Sequence, residues 1–418
     1  MTQKILYAVL VGVNIKSSQW SAKDSLAELN ALASSAMIKT KATLIQERHS
    51  CHSKHYIGTG KLIELKDLIT THQAQVIICD DELTPNQTTF LENYFKLKVL
   101  DRTSLILDIF ASRAQTFEAQ LQVEYAQLNY LMPRLTRLWT HLSRQSGGIG
   151  SRGPGETQLE TDKREIRKRM THIKSKLKKV QDQRQLRRQK RMKSATITAA
   201  LIGYTNAGKS TLMNQLTDAG VVAENKLFAT LDPTSRRFQL PNKQEIVLTD
   251  TVGFIQKLPH HLINAFYSTL EEVTYADILI HVIDSSHHNI HNVLETSQVI
   301  ISDLKLNDTP MLYVFNKWDL VSKPNQIKSA FPLHTPAVHL SASDPQTFAS
   351  LFNQLTQIID TFHHTYEWLI PYSKTRLINL IRQYGRLISE SHEEKGTQVK
   401  ATLNSVHAEQ IMNDLWGD

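Results

Sequence analysis

One stretch decides the fold of the central part of this chain: Gly203-Tyr204-Thr205-Asn206-Ala207-Gly208-Lys209-Ser210-Thr211. It matches the phosphate-binding P-loop pattern G-x-x-x-x-G-K-[ST]. The apolar residues 196–202 before it predict a strand, and residues 211–216 after it predict a helix. Glycines let backbone N–H groups face a phosphate, and the N-terminus of a helix adds positive potential. We therefore predict a nucleotide site in which Lys209 reaches the β- and γ-phosphates and Ser210 holds Mg²⁺.

Two motifs downstream supply further groups that a nucleoside triphosphate and Mg²⁺ require. Residues 228–234, Phe-Ala-Thr-Leu-Asp-Pro-Thr, offer a Thr that caps Mg²⁺ and senses the γ-phosphate. We choose Thr230, with Thr234 as the alternative. Residues 245–249 predict a strand, and Asp250-Thr251-Val252-Gly253 follow it. Asp250 is placed to bind Mg²⁺, as a Walker-B carboxylate does, and the N–H of Gly253 to face the γ-phosphate.

Two later motifs predict the base. Residues 311–315 read as a buried strand that ends in Asn316-Lys317-Trp318-Asp319. The Asp319 carboxylate would accept hydrogen bonds from guanine N1–H and N2–H, whereas adenine would leave this charge unpaired. Ser341-Ala342-Ser343 resembles the last guanine-contacting loop, whose backbone N–H meets the base O6. The order of these motifs predicts GTP as the nucleotide.

The predicted site is therefore a set of short segments. Mg²⁺ is assigned to Ser210, Thr230 and Asp250. The GTP-binding residues are Gly203, Tyr204, Thr205, Asn206, Ala207, Gly208, Lys209, Ser210, Thr211, Phe228, Ala229, Thr230, Leu231, Asp232, Asp250, Thr251, Val252, Gly253, Asn316, Lys317, Trp318, Asp319, Ser341, Ala342 and Ser343.

The catalytic residue is not evident from the sequence. Phe254 follows Gly253, at the position where Ras-like GTPases place a Gln that orients the attacking water. We therefore expect slow hydrolysis of GTP alone, with the missing group supplied by a partner or a rearranged loop. Gln256 is near but is not assigned. Asn206 lies where potassium-activated GTPases place a cation-binding Asn, but we favour a loop hydrogen-bonding role and do not favour K⁺.

Composition limits the class of protein. Of the 418 residues, 41% are apolar, and no apolar run approaches the roughly 20 residues of a membrane span. The N-terminus carries no signal-peptide pattern. Cys51 and Cys79 lack metal-ligand spacing and suit a reducing compartment. We expect a cytoplasmic protein with no membrane insertion.

The net charge of +8 is concentrated in one segment. Residues 157–193 contain 15 Lys or Arg and 4 Asp or Glu, a net of +11, which leaves −3 on the rest of the chain. Such a block is an electrostatic footprint for a phosphate-rich partner. The alternative is a solvated, charge-laced helix face.

The first hundred residues alternate strand-like and helix-like segments. Strands are predicted at 5–13, 42–45, 75–79 and 98–100, and helices at 25–35 and 60–69 and from about Pro85. This alternation predicts right-handed β-α-β units and a mostly parallel sheet. Gly58-Thr59-Gly60-Lys61 is too short for a P-loop, so we predict a turn that starts a helix.

Two long helices are predicted next. The first covers residues 104–142, with a break at Pro133. Its apolar stripe comprises Leu121, Tyr125, Leu128 and Met132. The second begins at Thr157 as N-cap, with Glu160 completing a capping box. Its a/d seam comprises Leu159, Ile166, Met170, Ile173, Leu177 and Val180. Together they predict an antiparallel hairpin.

The loop between these helices, residues 146–156, holds five of the chain's 15 glycines. A glycine-rich tip beside a strongly basic helix predicts contact with another surface, with a simple linker as the alternative. The predicted contact residues are Gly147, Gly148, Gly150, Arg152, Gly153, Gly155, Lys163, Arg164, Arg167 and Lys168.

The end of the chain reads as a small α+β module without a catalytic motif. Residues 366–370 and 399–403 alternate like strands, and Leu377, Leu380, Tyr384 and Ile388 mark a helix. The predicted fold class is α/β in four parts: an N-terminal parallel α/β domain (1–103), an antiparallel helical hairpin with a Gly-rich tip (104–194), a Ras-like P-loop G domain (195–362) and a C-terminal α+β domain (363–418).

Three motifs carry a resemblance to a known family. Residues 147–162 (GGIGSRGPGETQLETD), 228–234 (FATLDPT) and 250–254 (DTVGF) resemble the HflX family of GTPases, and the resemblance covers essentially the whole chain. It implies binding to the large ribosomal subunit and GTP-dependent rescue or splitting of stalled ribosomes, often linked to stress. It also implies that residues 147–157 form the loop that reaches toward the peptidyl-transferase region.

A basic hairpin attached to a slow GTP switch also suits ribosomal RNA as the partner, because this RNA is rich in phosphate. We expect the large subunit and its RNA as partners, no DNA, and a monomer when free. Two alternatives remain: a GTP-dependent RNA-remodelling protein acting on free RNA, and a GTP-gated adaptor for a protein partner.

Overall fold

Three β-sheets organise the part of the chain that the structure describes. The structure is a computed structural model that describes residues 5–16, 20–135, 154–192, 197–217, 227–228, 231–257, 273–321 and 336–416. Within these ranges, no helix is both long enough and apolar enough to cross a membrane.

The first sheet has four parallel strands in the order β2-β1-β3-β4. The strands are β1 (Leu6–Ile15), β2 (Ile38–Arg48), β3 (Val76–Cys79) and β4 (Lys98–Asp101). The connecting helices are α1 (Ala22–Ser35), α2 (Thr59–His72) and α3 (Pro85–Phe95). Alternate residues of β1 enter two cores on opposite faces of the sheet. The predicted parallel β-α-β architecture is confirmed, and Gly58 precedes a helix as predicted.

The continuous helix predicted over residues 104–142 is wrong for residues 104–135, and residues 136–142 lie outside the described part of the chain. The chain forms α4 (Arg102–Arg113) and α5 (Phe117–Leu131). Ala114 adopts an extended conformation, and Thr116 caps α5 by accepting a hydrogen bond from the N–H of Ala119. A polar cap of this kind starts a new helix where periodicity alone predicts continuation. The predicted break at Pro133 is confirmed, since a 3₁₀ turn over Met132–Arg134 follows α5.

Helix α4 packs on the first sheet. Its apolar residues, including Leu105, Ile109 and Phe110, lie in the core that also holds Leu10 of β1 and Leu29 of α1. Helix α4 therefore completes the N-terminal core.

The long helix α6 (Pro154–Met192) pairs with α5. Arg169 forms a two-pronged ion pair with Glu124 at 2.6 and 2.8 Å, and Arg184 pairs with Glu118 at 2.7 Å. Residue numbers rise along α6 as they fall along α5, so the helices are antiparallel, as predicted. The predicted start at Thr157 is wrong, because α6 begins at Pro154, and proline is preorganised for the first helical turn.

The second sheet has six strands in the order β10-β9-β8-β5-β7-β6, with only β6 antiparallel to its neighbour within this sheet. The strands are β5 (Ile197–Ile202), β6 (Thr234–Gln239), β7 (Glu245–Asp250), β8 (Ile278–Asp284), β9 (Met311–Asn316) and β10 (Ala337–His339). The helices are α7 (Lys209–Thr217), α8 (Ile290–Asp303) and α9 (Ala349–Asp360). This is the predicted P-loop G domain.

The third sheet is antiparallel, in the order β11-β13-β12. Its elements are β11 (His363–Ile370), α10 (Arg376–Tyr384), β12 (Arg386–Glu393), β13 (Gly396–Asn404) and α11 (Ser405–Trp416). The predicted α+β module is confirmed in outline. Ile388 was predicted in the helix but lies in β12, because the helix ends at Gly385, where the backbone turns extended.

Candidate nucleotide site

The P-loop joins the end of β5 to the start of α7, and both of its motif glycines have positive φ. Gly203 has φ +139°, and a Cβ there would lie 2.1 Å from the carbonyl oxygen of Val282. Gly208 has φ +98°, and a Cβ there would lie 2.1 Å from Nδ2 of Asn316. No other residue type fits these two places, so the two glycines fix the shape of the loop.

Lys209 is buried at the base of this loop. Its Nζ donates to the carbonyl oxygens of Gly203 at 3.0 Å and Tyr204 at 2.8 Å. Burial lowers the pKa of Lys209 to about 8, although the nearby Asp250 acts in the opposite direction. A buried cation in such a place is suited to receive a phosphate, whose charge would offset the desolvation.

Ser210 and Asp250 meet at the predicted Mg²⁺ position. The Ser210 hydroxyl donates to Oδ2 of Asp250 at 2.7 Å, and Asp250 is fully buried. A hydroxyl and a carboxylate are oxygen donors of the kind Mg²⁺ prefers, so the pair fits the ion. The third predicted ligand, Thr230, lies outside the described residues, as does Ala229. No cluster of three or more His, Cys, Asp or Glu residues suited to a metal occurs in the described ranges.

The segment after Asp250 is hydrogen-bonded to the P-loop. The hydroxyl of Thr251 donates to the carbonyl of Leu201 at 2.6 Å. The N–H of Phe254 donates to Gly203 at 3.0 Å, and the N–H of Thr205 donates to Phe254 at 2.8 Å. Phe254 itself is 3% exposed, inside an apolar cluster. Its ring therefore packs the loop and offers no group to a water molecule.

The base-binding motifs converge on Asn316. Its Nδ2 donates to the carbonyl of Ala207 at 2.7 Å, and its Oδ1 accepts from the N–H of Ala342 at 2.7 Å. One side chain thus joins the P-loop to the Ser341–Ser343 segment, where the two serine hydroxyls lie 2.9 Å apart. A buried side-chain amide whose nitrogen and oxygen are both hydrogen-bonded fixes the two segments relative to each other.

The three residues after Asn316 differ in their contacts and exposure. Lys317 has a left-handed backbone and its Nζ lies 2.6 Å from Oδ2 of Asp284. Trp318 packs on His339, while Asp319 is exposed. The Asp319 carboxylate is therefore accessible to the guanine donors that the sequence predicts for it.

Three residues of the predicted 228–232 segment, Phe228, Leu231 and Asp232, contact the N-terminal part of the protein. Phe228 packs edge-on against Phe110 of α4, with ring centroids 4.6 Å apart, and Leu231 is in the same core. The Asp232 carboxylate accepts from the N–H groups of Gln115 at 2.9 Å and Thr116 at 3.2 Å, and from the Thr116 hydroxyl. The structure therefore brings these three side chains to α4 and α5.

Sequence reasoning missed a polar cluster from the N-terminal domain. Arg102, 1% exposed, donates to Glu28 at 2.7 Å, to Asp80 at 2.8 Å and to the carbonyl of Gln256 at 3.3 Å. Glu28 also accepts from the hydroxyl of Tyr204 in the P-loop at 2.5 Å. Sequence position could have indicated this cluster. Asp80 directly follows β3 and Arg102 directly follows β4, and the carboxyl ends of these strands meet at one edge of a parallel sheet.

Lys257 reaches the same cluster from the G domain. Its Nζ lies 2.5 Å from Asp80 and 2.6 Å from Asp81. Burial raises the pKa of Asp80, but Arg102 and Lys257 outweigh it, so the pKa lies below the usual value. The carboxylate stays ionised and links the two domains.

The predicted RNA-contact residues fall into two groups. Arg164, Arg167 and Lys168 are exposed on α6, and Lys163 is half-buried. Gly155 lies in the first turn of α6. The remaining five, Gly147, Gly148, Gly150, Arg152 and Gly153, lie outside the described residues. Lys163 and Arg167 line a cavity of about 490 Å³ together with Tyr130 and Arg134.

Comparison with known proteins identifies similar chains. Three family profiles match, described as a GTP-binding GTPase N-terminal region (residues 23–111), a GTP-binding GTPase middle region (113–191) and a 50S ribosome-binding GTPase (198–317). A GTPase HflX of Caldanaerobacter subterraneus is 44% identical over 94% of this chain and 90% of its own length. A GTPase HflX of Lacrimispora saccharolytica is 45% identical over 95% and 93%.

Among solved structures, a GTP-binding protein from Sulfolobus solfataricus in complex with GDP is similar. It is 22% identical, covers 85% of this chain and 99% of its own, and aligns with a TM-score of 0.43.

Proposed function

The chain belongs to the HflX family of GTPases, and we propose that it binds the large ribosomal subunit and uses GTP binding to dissociate or rescue stalled ribosomes. As a GTPase it converts GTP and water to GDP and phosphate, and in this proposal hydrolysis resets the switch. We infer that hydrolysis by the free protein is slow and that the ribosome stimulates it, since Phe254 is buried and apolar where Ras-like GTPases have Gln.

One observation carries the proposal: the segment 228–234, which holds the Thr assigned to the γ-phosphate, contacts the protein next to the start of α5. We call α5 and α6 the helical pair. Asp232 accepts hydrogen bonds from the two residues just before α5, and Phe228 packs on α4. Helix α5 pairs with α6, which carries the basic residues. A change in this loop on GTP binding would therefore move the basic surface, which is how a nucleotide would control an RNA contact.

The proposal includes the ions. Mg²⁺ would be held by Ser210, Asp250 and Thr230, and would offset the charge on the phosphate oxygens. We do not favour K⁺ as a cofactor. We assign Asn206, whose φ is 63°, to hydrogen bonding within the P-loop. Equal hydrolysis rates in K⁺ and in Na⁺ would agree with this assignment.

The ribosomal contacts are assigned to the Gly-rich segment 147–155 and to Lys163, Arg164, Arg167 and Lys168. Backbone phosphates of ribosomal RNA fit exposed cations on one helix. The proposed setting is the cytoplasm, in a stress response, with the free protein monomeric and without a role for DNA.

Gradient sedimentation tests this function. The full chain is mixed with ribosomes in GTP, GDP or a non-hydrolysable GTP analogue. We expect co-migration with large subunits and loss of intact ribosomes with the analogue but not with GDP. Hydrolysis stimulated by free RNA alone would favour the RNA-remodelling alternative, and no response to either would favour the protein adaptor.

A charge-reversal variant tests the surface. R164E/R167E/K168E should weaken large-subunit binding and flatten its salt dependence, because each lost phosphate contact removes about 0.7–0.9 from the slope of log K against log salt. K39E/K41E/K66E makes the same charge change on exposed lysines of β2 and α2 and is the matched control. Equal binding by the two variants would contradict the assignment of α6.

A further inference from the structure

Two buried polar atoms beside the P-loop have no hydrogen-bond partner within the described part of the chain. They are Oγ1 of Thr205 and Oε1 of Gln256. Thr205 is 7% exposed and Gln256 is 3% exposed, and both line one cavity of about 220 Å³. A buried polar group left unpaired costs about 1–3 kcal/mol, so such an atom in a cavity points to a ligand or a water molecule.

Thr205 lies at the end of the cradle that faces the γ-phosphate. A Cβ added to Gly253 would lie 2.9 Å from Cγ2 of Thr205 and 2.8 Å from Nζ of Lys209. A 120° rotation about χ1 moves the hydroxyl of a threonine to the staggered position that its methyl group occupied. The hydroxyl of Thr205 is therefore within reach of the space that Gly253 and Lys209 share, and these are the two residues placed at the γ-phosphate.

The backbone keeps Thr205 in this place. Its N–H donates to Phe254 at 2.8 Å, and Phe254 in turn donates to Gly203 at 3.0 Å. The Phe254 ring is packed with Trp20 and Tyr204 in an apolar cluster. Residue 254, where Ras-like GTPases have the Gln that orients the water, is thus a packing residue here. The backbone of Phe254 also fixes the position of Thr205, which carries the hydroxyl.

We propose that Thr205 is the catalytic residue that orients the attacking water in GTP hydrolysis. Its hydroxyl accepts a hydrogen bond from the water and donates one to a γ-phosphate oxygen. The water oxygen bonds to the γ-phosphorus as the bond to the β–γ bridging oxygen breaks. GDP leaves with that electron pair, the water proton ends on the released phosphate, and Thr205 is unchanged. The proposal rests on GTP hydrolysis alone and is independent of ribosome binding.

Single-turnover hydrolysis by the full-length protein tests this role. Thr205→Val removes the hydroxyl at nearly constant volume and should lower the rate constant at least about tenfold, as loss of an oriented hydrogen-bonding group does elsewhere. Its affinity for fluorescent GTP and GDP analogues should stay within about threefold. Thr205→Ser keeps the hydroxyl and should retain the rate to within about threefold.

Thr40→Val is the matched control. The Oγ1 of Thr40, on β2, is also buried without a partner among the described residues, so the same chemical change is made far from the P-loop. This variant should hydrolyse GTP at the wild-type rate. If Thr205→Val does not fold, Thr205→Ala replaces it, again compared with Thr205→Ser.

Three results would overturn the proposal. Thr205→Val could hydrolyse GTP at the wild-type rate. Thr205→Val could lose nucleotide affinity in proportion to rate, which would make Thr205 a binding residue only. Gln256→Ala could lose the rate while Thr205→Val keeps it, which would transfer the role to Gln256. Failure of ribosome sedimentation would affect none of these measurements.

Discussion

At the scale of single residues, Lys209 combines burial with a positive charge. Its Nζ is held by two carbonyl oxygens of its own loop, and burial lowers its pKa from 10.5 to about 8. The charged form of Lys209 is therefore less favourable in the folded protein than in the unfolded chain. In the proposed role of Lys209, affinity for phosphate would be obtained at the expense of stability in the nucleotide-free state, as is common at functional sites.

This arrangement predicts a pH-dependent stability. Between pH 8 and pH 10.5 the unfolded chain binds more protons at Lys209 than the folded protein does, so the free energy of unfolding rises with pH across this interval. The full shift corresponds to about 3 kcal/mol. Lys209→Met should remove this contribution. Urea denaturation of both nucleotide-free proteins at pH 7.5 and pH 10.5 measures it.

Below pH 8, Lys209→Met should be the more stable protein, and the difference should shrink as the pH rises. Other groups that titrate in this range are common to both proteins and cancel in the comparison. A difference in unfolding free energy that stays constant from pH 7.5 to pH 10.5 would contradict the prediction.

At the scale of elements, the start of α5 depends on a residue that is 116 positions away in sequence. Asp232 accepts from two backbone N–H groups at that start, and Thr116 also caps the helix. A carboxylate at a helix N-terminus is stabilised both by hydrogen bonds and by the helix dipole. The helix break at 114–116 is therefore a contact point between the G domain and the helical pair.

Asp232→Ala should lower the free energy of unfolding by about 1 kcal/mol, because the N–H groups of Gln115 and of the N-cap Thr116 lose their distant acceptor. Asp232→Asn keeps an acceptor and should recover most of the loss. Hydrogen exchange should quicken at the amides of residues 115–119 in Asp232→Ala. Asp67→Ala, at an exposed aspartate of α2, is the control. Unchanged exchange at 115–119 would contradict the role of Asp232.

At the scale of the whole molecule, one charged cluster joins the N-terminal domain to the G domain. Arg102 and Lys257 share Asp80, and Glu28 links Arg102 to the P-loop residue Tyr204. The apolar core extends across the same boundary, because Val252 and Ile255 pack with residues of α4. The P-loop and the segment 252–257 are therefore held in place partly by contacts with the first domain.

Arg102→Met should lower the free energy of unfolding by about 3–5 kcal/mol, because Asp80 would be left buried without its main partner. Arg237→Met is the control, since Arg237 is 80% exposed and its pair with Glu245 is 3.5 Å long. Urea denaturation with matched m-values measures both. A loss in Arg102→Met no larger than in Arg237→Met would show that the cluster does not stabilise the folded state.

Much of the fold could be predicted from local pattern. The alternation of residues 5–100 predicted the parallel sheet, and the spacing of Gly203, Gly208 and Lys209 predicted the P-loop. The errors at 114–116 and at Ile388 have a common cause, since a helix ends where a cap or a backbone turn competes with apolar periodicity. The division of the chain at residues 103, 194 and 362 stays a prediction.

By itself, the sequence determined the P-loop and the basic helix, and it predicted the guanine motifs. These depend on residue types at short, fixed spacings, and neighbours in the chain stay neighbours in the fold. Only the tertiary structure decided that Glu28 meets Tyr204 across 176 positions, and that Thr205 is buried beside Gly253. The physical reason is that burial and pairing depend on how separate elements pack, and periodicity within one element carries no information about its distant partner.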